Sequence, residues 1–196
     1  MFLCDKEIEK WIENKKILIF PKVSKNRING ASLDLTLDNR FRIFSKSYKT
    51  GFIDCTVRNK KNYTHLKETM SKEIIIKNNK KFFLHPKNLV LATTTETLSL
   101  PENLLGFFNG RSSLARIGLI VHATAQFIDP GWNGKIVLEL YNLGELPIAL
   151  KKGIIIGSVF FSLLNENSVR PYNIKKNAKY KNQSSTLISK INKDTF

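Results

Sequence analysis

Short apolar runs rich in β-branched and aromatic residues recur along this chain: EIIIK, KFFLH, LVLATTTETLSL, LIVHATA, KIVLELY and IIIGSVFFSLL, with Pro, Gly and Asn between them. Most are too short to make useful helices but suit paired strands, so the punctuation points to a mainly β sandwich or barrel. Upstream, Leu33, Leu35 and Leu37 alternate with Asp34, Thr36 and Asp38, the pattern of a strand with one face buried. Helices have room only at the margins. Asp5 can cap a helix whose apolar stripe is Ile8, Trp11 and Ile12 and which ends near Lys16, and a short helix over Tyr63 to Met70 fits the otherwise irregular polar stretch from Gly51. At 196 residues, 42% of them hydrophobic, the chain can build one sizeable core, and neither an internal repeat nor a linker divides it.

The densest chemistry lies between Gly110 and Asn142, in GRSSLARIGLIVHATAQFIDPGWNGKIVLELYN. Gly110 closes an apolar run, Ser112 and Ser113 suit an N-cap, and Gly118 is placed to stop the short helix they begin. Open N–H groups at such a start, with Arg111 and Arg116 beside them, suit an anion such as phosphate; a capped surface helix with two solvated arginines fits the same spacing equally well. Asp129-Pro130-Gly131 has the residue order of a tight turn. Beyond it Ile136, Leu138 and Leu140 share one face of a strand, and Val137, Glu139 and Tyr141 share the other. A carboxylate on such a half-apolar face suits a general base or acid, although a solvent-facing glutamate has the same periodicity.

GRSSLAR, VHATA, IDPGW, IVLELYN and PIALKKGIIIG, in this order and at these intervals, resemble the dCTP deaminases of the dUTPase-like superfamily. INGASLDLTLDNRF, FFLHP, LPENLLGFFNGRSS, RPYN and AKYKNQ extend the resemblance over most of the chain. It implies a distorted jelly-roll or β-barrel of the dUTPase-like type with a few short helices. Residues 1–164 would form the β domain with its N-terminal helix, and 165–196 a basic tail of the same domain that closes over the nucleotide. On composition alone that tail has little to bury and reads as floppy.

The activity implied is hydrolysis of dCTP to dUTP and ammonia, supplying dUTP for dUMP and dTTP synthesis. In this resemblance Glu139 takes the proton of the attacking water and later delivers it, with Arg116 and Ser112 beside it as catalytic partners. Arg111, Ser113 and the neighbouring backbone of Leu114 and Ala115 take the phosphates. Asp129 accepts from the deoxyribose hydroxyl, His122 and Ala125 shape the pocket around the water, and Val137 and Leu138 complete the strand's contacts. Tyr172, Lys179 and Gln183 reach the nucleotide from the tail. Magnesium would arrive with the triphosphate, without a protein cage of its own. The resemblance also implies a homotrimer with shared active sites and feedback inhibition by dTTP.

Most nucleobase deaminases hold zinc with an H-x-E and a P-C-x-x-C pair. Here the only cysteines, Cys4 and Cys55, stand far apart, so a hydrolysis without zinc is expected and no disulfide framework can form. No apolar run is long enough for a bilayer, and MFLCDKEIEKW turns acidic and amphipathic where a signal peptide would stay apolar; a cytoplasmic protein with no membrane partner is expected. The 32 Lys and Arg against 16 Asp and Glu give a net charge of +16, which raises a nucleic-acid-binding β domain as an alternative of another class. Yet the lysines scatter among Asn and Ile with no zinc finger, RNA-recognition motif or clear helix-turn-helix, and a positive field serves a triphosphate as well. No nucleic-acid partner is therefore expected.

The nearer alternative is a dUTPase, or a bifunctional relative that deaminates dCTP and then cleaves the product to dUMP. Those relatives usually carry Ala-Gly where Ala125-Gln126 stands and often glycine where Ala115 stands. Glycine lets backbone or water approach closely, so Ala115 and Gln126 favour an enzyme that stops at dUTP. Many deaminases have histidine at the Gln126 position, and the pocket wall departs from them there.

Overall fold

The computed structural model describes residues 1–44, 53, 55 and 67–193. Helix α1, Asp5–Glu13, buries Ile8 completely and half-buries Trp11 and Ile12, as their spacing predicts. Its cap differs from the expected one. Cys4 is the N-cap residue, its N–H donating to the Glu7 carboxylate at 3.3 Å, and Asp5 sits in the first turn, where its charge meets the positive helix end. The helix stops short of Lys16 because Lys15 adopts a left-handed φ of 57°.

Among the described residues twelve strands follow: β1 Leu18–Phe20, β2 Ile28–Asn29, β3 Ser32–Ile43, β4 Ile74–Ile75, β5 Phe82–Leu84, β6 Leu89–Ser99, β7 Leu104–Gly110, β8 Leu119–Ile120, β9 Phe127–Ile128, β10 Asn133–Asn142, β11 Ile148–Leu150 and β12 Ile155–Leu163. Each pairing between two of these strands is antiparallel. The main sheet runs β8-β10-β6-β3-β12-β7-β9, with β1 on β6 and β2 and β4 on β3, while β5 and β11 pair separately. Strand β3 joins its two halves: Ser32 to Thr36 pair with β12, and Leu37 to Ile43 pair with β6 across a register shift. One strand serving two partners bends the sheet around a single core. Leu33, Leu35 and Leu37 lie in that core with Leu98, Leu138, Leu140 and Phe161.

The other face of β3 is not solvated, contrary to its alternation. Asp34, Thr36 and Asp38 are buried as well. Glu96 accepts from the Thr36 N–H at 2.9 Å, the Thr36 hydroxyl at 2.8 Å and Arg27 at 2.7 Å, while Asp38 meets Lys135 and, at 3.1 Å, Lys152. Burial alone would raise the Asp38 carboxyl; the bonds from Lys135, the Asn39 N–H and Lys152 outweigh it and hold it below its ordinary value. Ion pairs at Asp38 and Glu96, with hydrogen bonds to Asp34 from Asn29 at 3.0 Å and Ser158 at 2.6 Å, are what let an apparently polar face enter the interior.

LIVHATA forms a strand only at Leu119–Ile120. Val121 fills the space against Gly110, where an added Cβ would come within 2.6 Å of its methyl, and then the exposed stretch 123–126 leads out to β9. Of the short helix expected over Tyr63 to Met70, residues 63–66 lie outside the described residues. No helix among the described residues is long and apolar enough to cross a membrane.

Residues 165–193 contain no strand of their own, yet Gln183 and Thr186 are buried. Strand β8 covers only the Tyr141 and Asn142 end of β10, leaving backbone groups open near Gly134 and Lys135. The tail takes them. Lys135 N–H donates to Gln183 O at 2.9 Å, the Gln183 amide donates back to Lys135 O at 2.9 Å, and Asn182 N–H donates to Asn133 O at 3.0 Å. A segment poor in apolar residues is ordered by satisfying an open sheet edge.

Candidate active site

Strand β10 alternates as its sequence predicts. Leu138 and Leu140 are fully buried on one side, and Val137 and Glu139 face the other, with Glu139 opposite Leu91 of β6. That second face forms one wall of a cleft of about 570 Å³, within the range of small-molecule sites. A second wall comes from the stretch between His122 and Trp132, and a third from the tail through Tyr172, Tyr180, Gln183 and Leu187.

The Asp129-Pro130-Gly131 turn forms as predicted: Trp132 N–H donates to Asp129 O at 3.1 Å, and Gly131 takes a φ of 75°. An added Cβ at Gly131 would also lie 2.6 Å from the Asn173 side chain, so both conformation and space require glycine. The turn puts Asp129 at the cleft and Trp132 into its wall. Tyr172 packs on Trp132 with ring centres 5.1 Å apart, and its N–H donates to Pro130 O at 2.7 Å. Its hydroxyl accepts the Tyr180 N–H at 2.8 Å. Burial, with the nearby charge of Asp129 adding to it, pushes the Tyr172 phenol up despite that bond, so it stays protonated near neutral pH.

Glu139 keeps 30% of its side chain exposed, while that of His122 keeps 10%. The Nδ1 of His122 is hydrogen-bonded to Oε2 of Glu139, and Phe108 packs edge-on to the imidazole at 6.0 Å. A nearly buried imidazole thus fixes the direction of a carboxylate that opens onto the cleft. This arrangement can hold a water and move its proton.

Seven of the residues singled out in the sequence line this one cleft: His122, Ala125, Asp129, Val137, Glu139, Tyr172 and Gln183. Leu138 does not, because strand alternation turns its side chain into the core. Lys179 is also absent from the lining; its carbonyl accepts from the Lys190 ammonium. Arg111, Ser112, Ser113, Leu114, Ala115 and Arg116 are all off the cleft, on the helical turn Ser112–Ala115 and its flanks. Neither serine caps that turn. The extended Arg111 is its N-cap, its carbonyl accepting from Leu114 and Ala115 N–H, and Ser112 Oγ instead accepts from Arg116 Nε at 3.2 Å. Gly118 ends the turn as expected, with φ at 86°.

Other cleft residues were missed. Trp132 carried a usable signal, an aromatic directly after a fixed turn; Leu91 becomes visible only through its register with Glu139; Tyr180 and Leu187 lie in a segment whose composition conceals its order.

The dCTP deaminase-like family model matches residues 2–164. The chain is 54% identical over 196 residues to a dCTP deaminase of Wigglesworthia glossinidia brevipalpis, covering 98% of each. It is 49% identical over 194 residues to a dCTP deaminase of Mannheimia succiniciproducens, covering 99% of this chain and 100% of the relative. Both alignments include the tail. Among solved structures it is similar to the 2'-deoxycytidine 5'-triphosphate deaminase of Agrobacterium tumefaciens, with a TM-score of 0.62 and 20% identity over 83% of this chain. The chain spans 48% of that longer protein, and the likeness is one of fold, in keeping with the mainly β architecture expected.

Proposed function

This chain belongs to the dCTP deaminase-like family, and from that premise we propose an enzyme that hydrolyses dCTP to dUTP and ammonia. The observation that carries the reading is the Glu139 carboxylate, directed by His122 and opening onto the cleft. Water adds to the ring carbon that bears the amino group. Glu139 takes one proton from the water and delivers it to the ring nitrogen, then takes the second from the hydroxyl so formed and delivers it to the amine; the carbon–nitrogen bond breaks as the carbonyl forms, and the carboxylate is regenerated as ammonia leaves. One carboxylate in this role contributes a factor of about 10² to 10⁴. Val137 packs against the base, Asp129 accepts from the sugar hydroxyl, Ala125 bounds the water, and Tyr172 and Gln183 hold the nucleotide from the tail.

Zinc is not required in this scheme. Among the described residues no group of three His, Cys, Asp or Glu side chains is arranged to hold an ion, and His122 and Glu139 are engaged with each other. Magnesium accompanies the triphosphate as part of the substrate.

Arg111, Ser112, Ser113 and Arg116 serve a neighbouring subunit's cleft in the proposed homotrimer. Their exposure supports this, as does the apolar surface beside them: Ile117, Leu143 and Leu146 are 55%, 66% and 79% exposed. There Arg116 and Ser112 would act at the base and Arg111 and Ser113 on the phosphates. Ala115 and Gln126, where bifunctional relatives favour glycine, support an enzyme that stops at dUTP, the precursor of dUMP and dTTP. dTTP, carrying the same sugar and triphosphate, would compete for the cleft as a feedback inhibitor.

The test is to supply dCTP and magnesium and measure ammonia, dUTP and pyrophosphate together. Ammonia and dUTP in equal amounts without pyrophosphate is the expected result. Pyrophosphate formed in step with ammonia would favour the bifunctional reading, and no product at all would overturn the proposed activity.

A further inference from the structure

Thr186 lies in the polar tail, has no exposed surface, and has each of its polar groups bonded to a charged side chain. Its N–H and its hydroxyl both donate to Oε1 of Glu73, at 2.8 and 2.9 Å. Its carbonyl accepts from Nε of Arg42 at 2.7 Å. The two clamping residues are themselves fixed. Arg40 donates to the other Glu73 oxygen at 2.6 Å, and Arg42 donates through Nη1 to Ser71 O, also at 2.6 Å.

The position of this cluster gives it a function. Arg40 and Arg42 belong to β3, Glu73 precedes β4, and Thr186 lies between Gln183 and Leu187, both of which line the cleft. Met70, three residues before Glu73, lines the cleft as well. Two walls of the cleft are therefore stitched together through a single tail residue. A surface loop would satisfy its backbone with water; here two charged side chains have replaced the water, at a point where the tail is wholly buried.

We infer that Glu73 and Arg42 form a clamp on Thr186 that holds residues 183–191 closed over the cleft, and that they are positioning residues for nucleotide binding although neither lines the cleft itself. The clamp is independent of the contacts that tie Gln183 to Lys135. Only the identity of the ligand rests on the deaminase reading.

Two measurements test it. Limited trypsin digestion of the nucleotide-free protein reads opening of the tail through cleavage at its lysines, since cleavage follows the population of the open form. Glu73→Ala and Thr186→Val should each speed that cleavage about tenfold or more, the factor expected when hydrogen bonds to a charged group are lost, while Thr186→Ser, which keeps both donors, should restore slow cleavage. Steady-state kinetics on dCTP should then show KM raised about tenfold in the first two variants with kcat changed less than about threefold. Thermal melts separate this from a folding defect: Thr186→Val should still unfold cooperatively as a native protein. Unchanged cleavage in both variants would overturn the clamp. Faster cleavage with unchanged KM would overturn the positioning role. Absence of deaminase activity in the wild type would remove the nucleotide from the account, while the digestion would still judge the clamp.

Discussion

Strand β10 and residues 165–193 meet across one cleft and are held there by different balances of force: the strand by its buried core face, the tail by hydrogen bonds together with the packing of Tyr172 on Trp132. Val137 and Glu139 face the cleft because Leu138 and Leu140, fully buried behind them, leave the strand no other orientation. Gln183 and Thr186 are held by backbone groups of Lys135 and by charged side chains. Apolar packing is lost only with the core, whereas hydrogen bonds at an edge can be exchanged for water at small net cost. In the proposed function the side that carries the chemistry would be fixed and the side that covers it would open, which is the division of labour a water-excluding but reversible site requires.

The sharpest way to break this contrast is to weaken the fixed side. Leu138→Ala should cost about 2–5 kcal/mol of global stability, as for other fully buried leucines, and lower the melting temperature without changing tail cleavage in the native state. If the tail loosened in parallel, the two sides would be one cooperative unit.

Next comes the part that neither side supplies. Arg116→Ala should reduce kcat/KM by about 10² to 10³, as when a preorganised donor is removed, with the fold intact because the side chain is exposed. Mixing Arg116→Ala with Glu139→Gln after dissociation and reassembly should restore part of the activity, since some shared sites would then receive both native residues. No recovery would contradict sites shared between subunits.

A smaller effect is expected from the covering side. Gln183→Ala should cost about 0.5–1.5 kcal/mol, confined to the tail, visible as faster cleavage with little change in the global melt.

Acid should give the smallest and most gradual effect. Burial would raise the Glu73 carboxyl, but the bonds from Thr186 and Arg40 outweigh it and set it below its ordinary value. A carboxyl lowered in the folded state contributes stability that is present above its unfolded pKa and lost as pH falls through the folded one. Arg40 and Arg42, which face this cluster from β3, stay charged throughout. The tail should thus remain closed at neutral pH and open only below the ordinary carboxylate range; trypsin is inactive there, so pepsin digestion is the measurement.

The same contrast explains what the sequence made legible. Period-two alternation in KIVLELY placed Glu139 correctly, and Asp129-Pro130-Gly131 declared its turn, because both signals are local. The β3 pattern misled because Thr36 found a partner in Glu96, Asp38 in Lys135 and Lys152, and Asp34 in Asn29 and Ser158, and burial by such pairing has no periodicity. LIVHATA has the composition of a strand, but beyond Val121 the chain leaves the sheet. Arg111 displaced the serines as cap because the chain stays extended through it, a backbone choice that their side chains do not dictate. The buried tail was hidden for the same reason: Thr186 is ordinary in composition and becomes significant only when Glu73 and Arg42 arrive from elsewhere in the chain.

Glu139 carries the proposed chemistry most directly. The measurement is ammonia release from dCTP with magnesium, after a zinc-selective chelator, comparing wild type with Glu139→Gln. Full activity in the chelated wild type and a loss of about 10² to 10⁴ in the variant, with the melting temperature little changed, is the expected result; undiminished ammonia release from Glu139→Gln would remove this carboxylate from the mechanism.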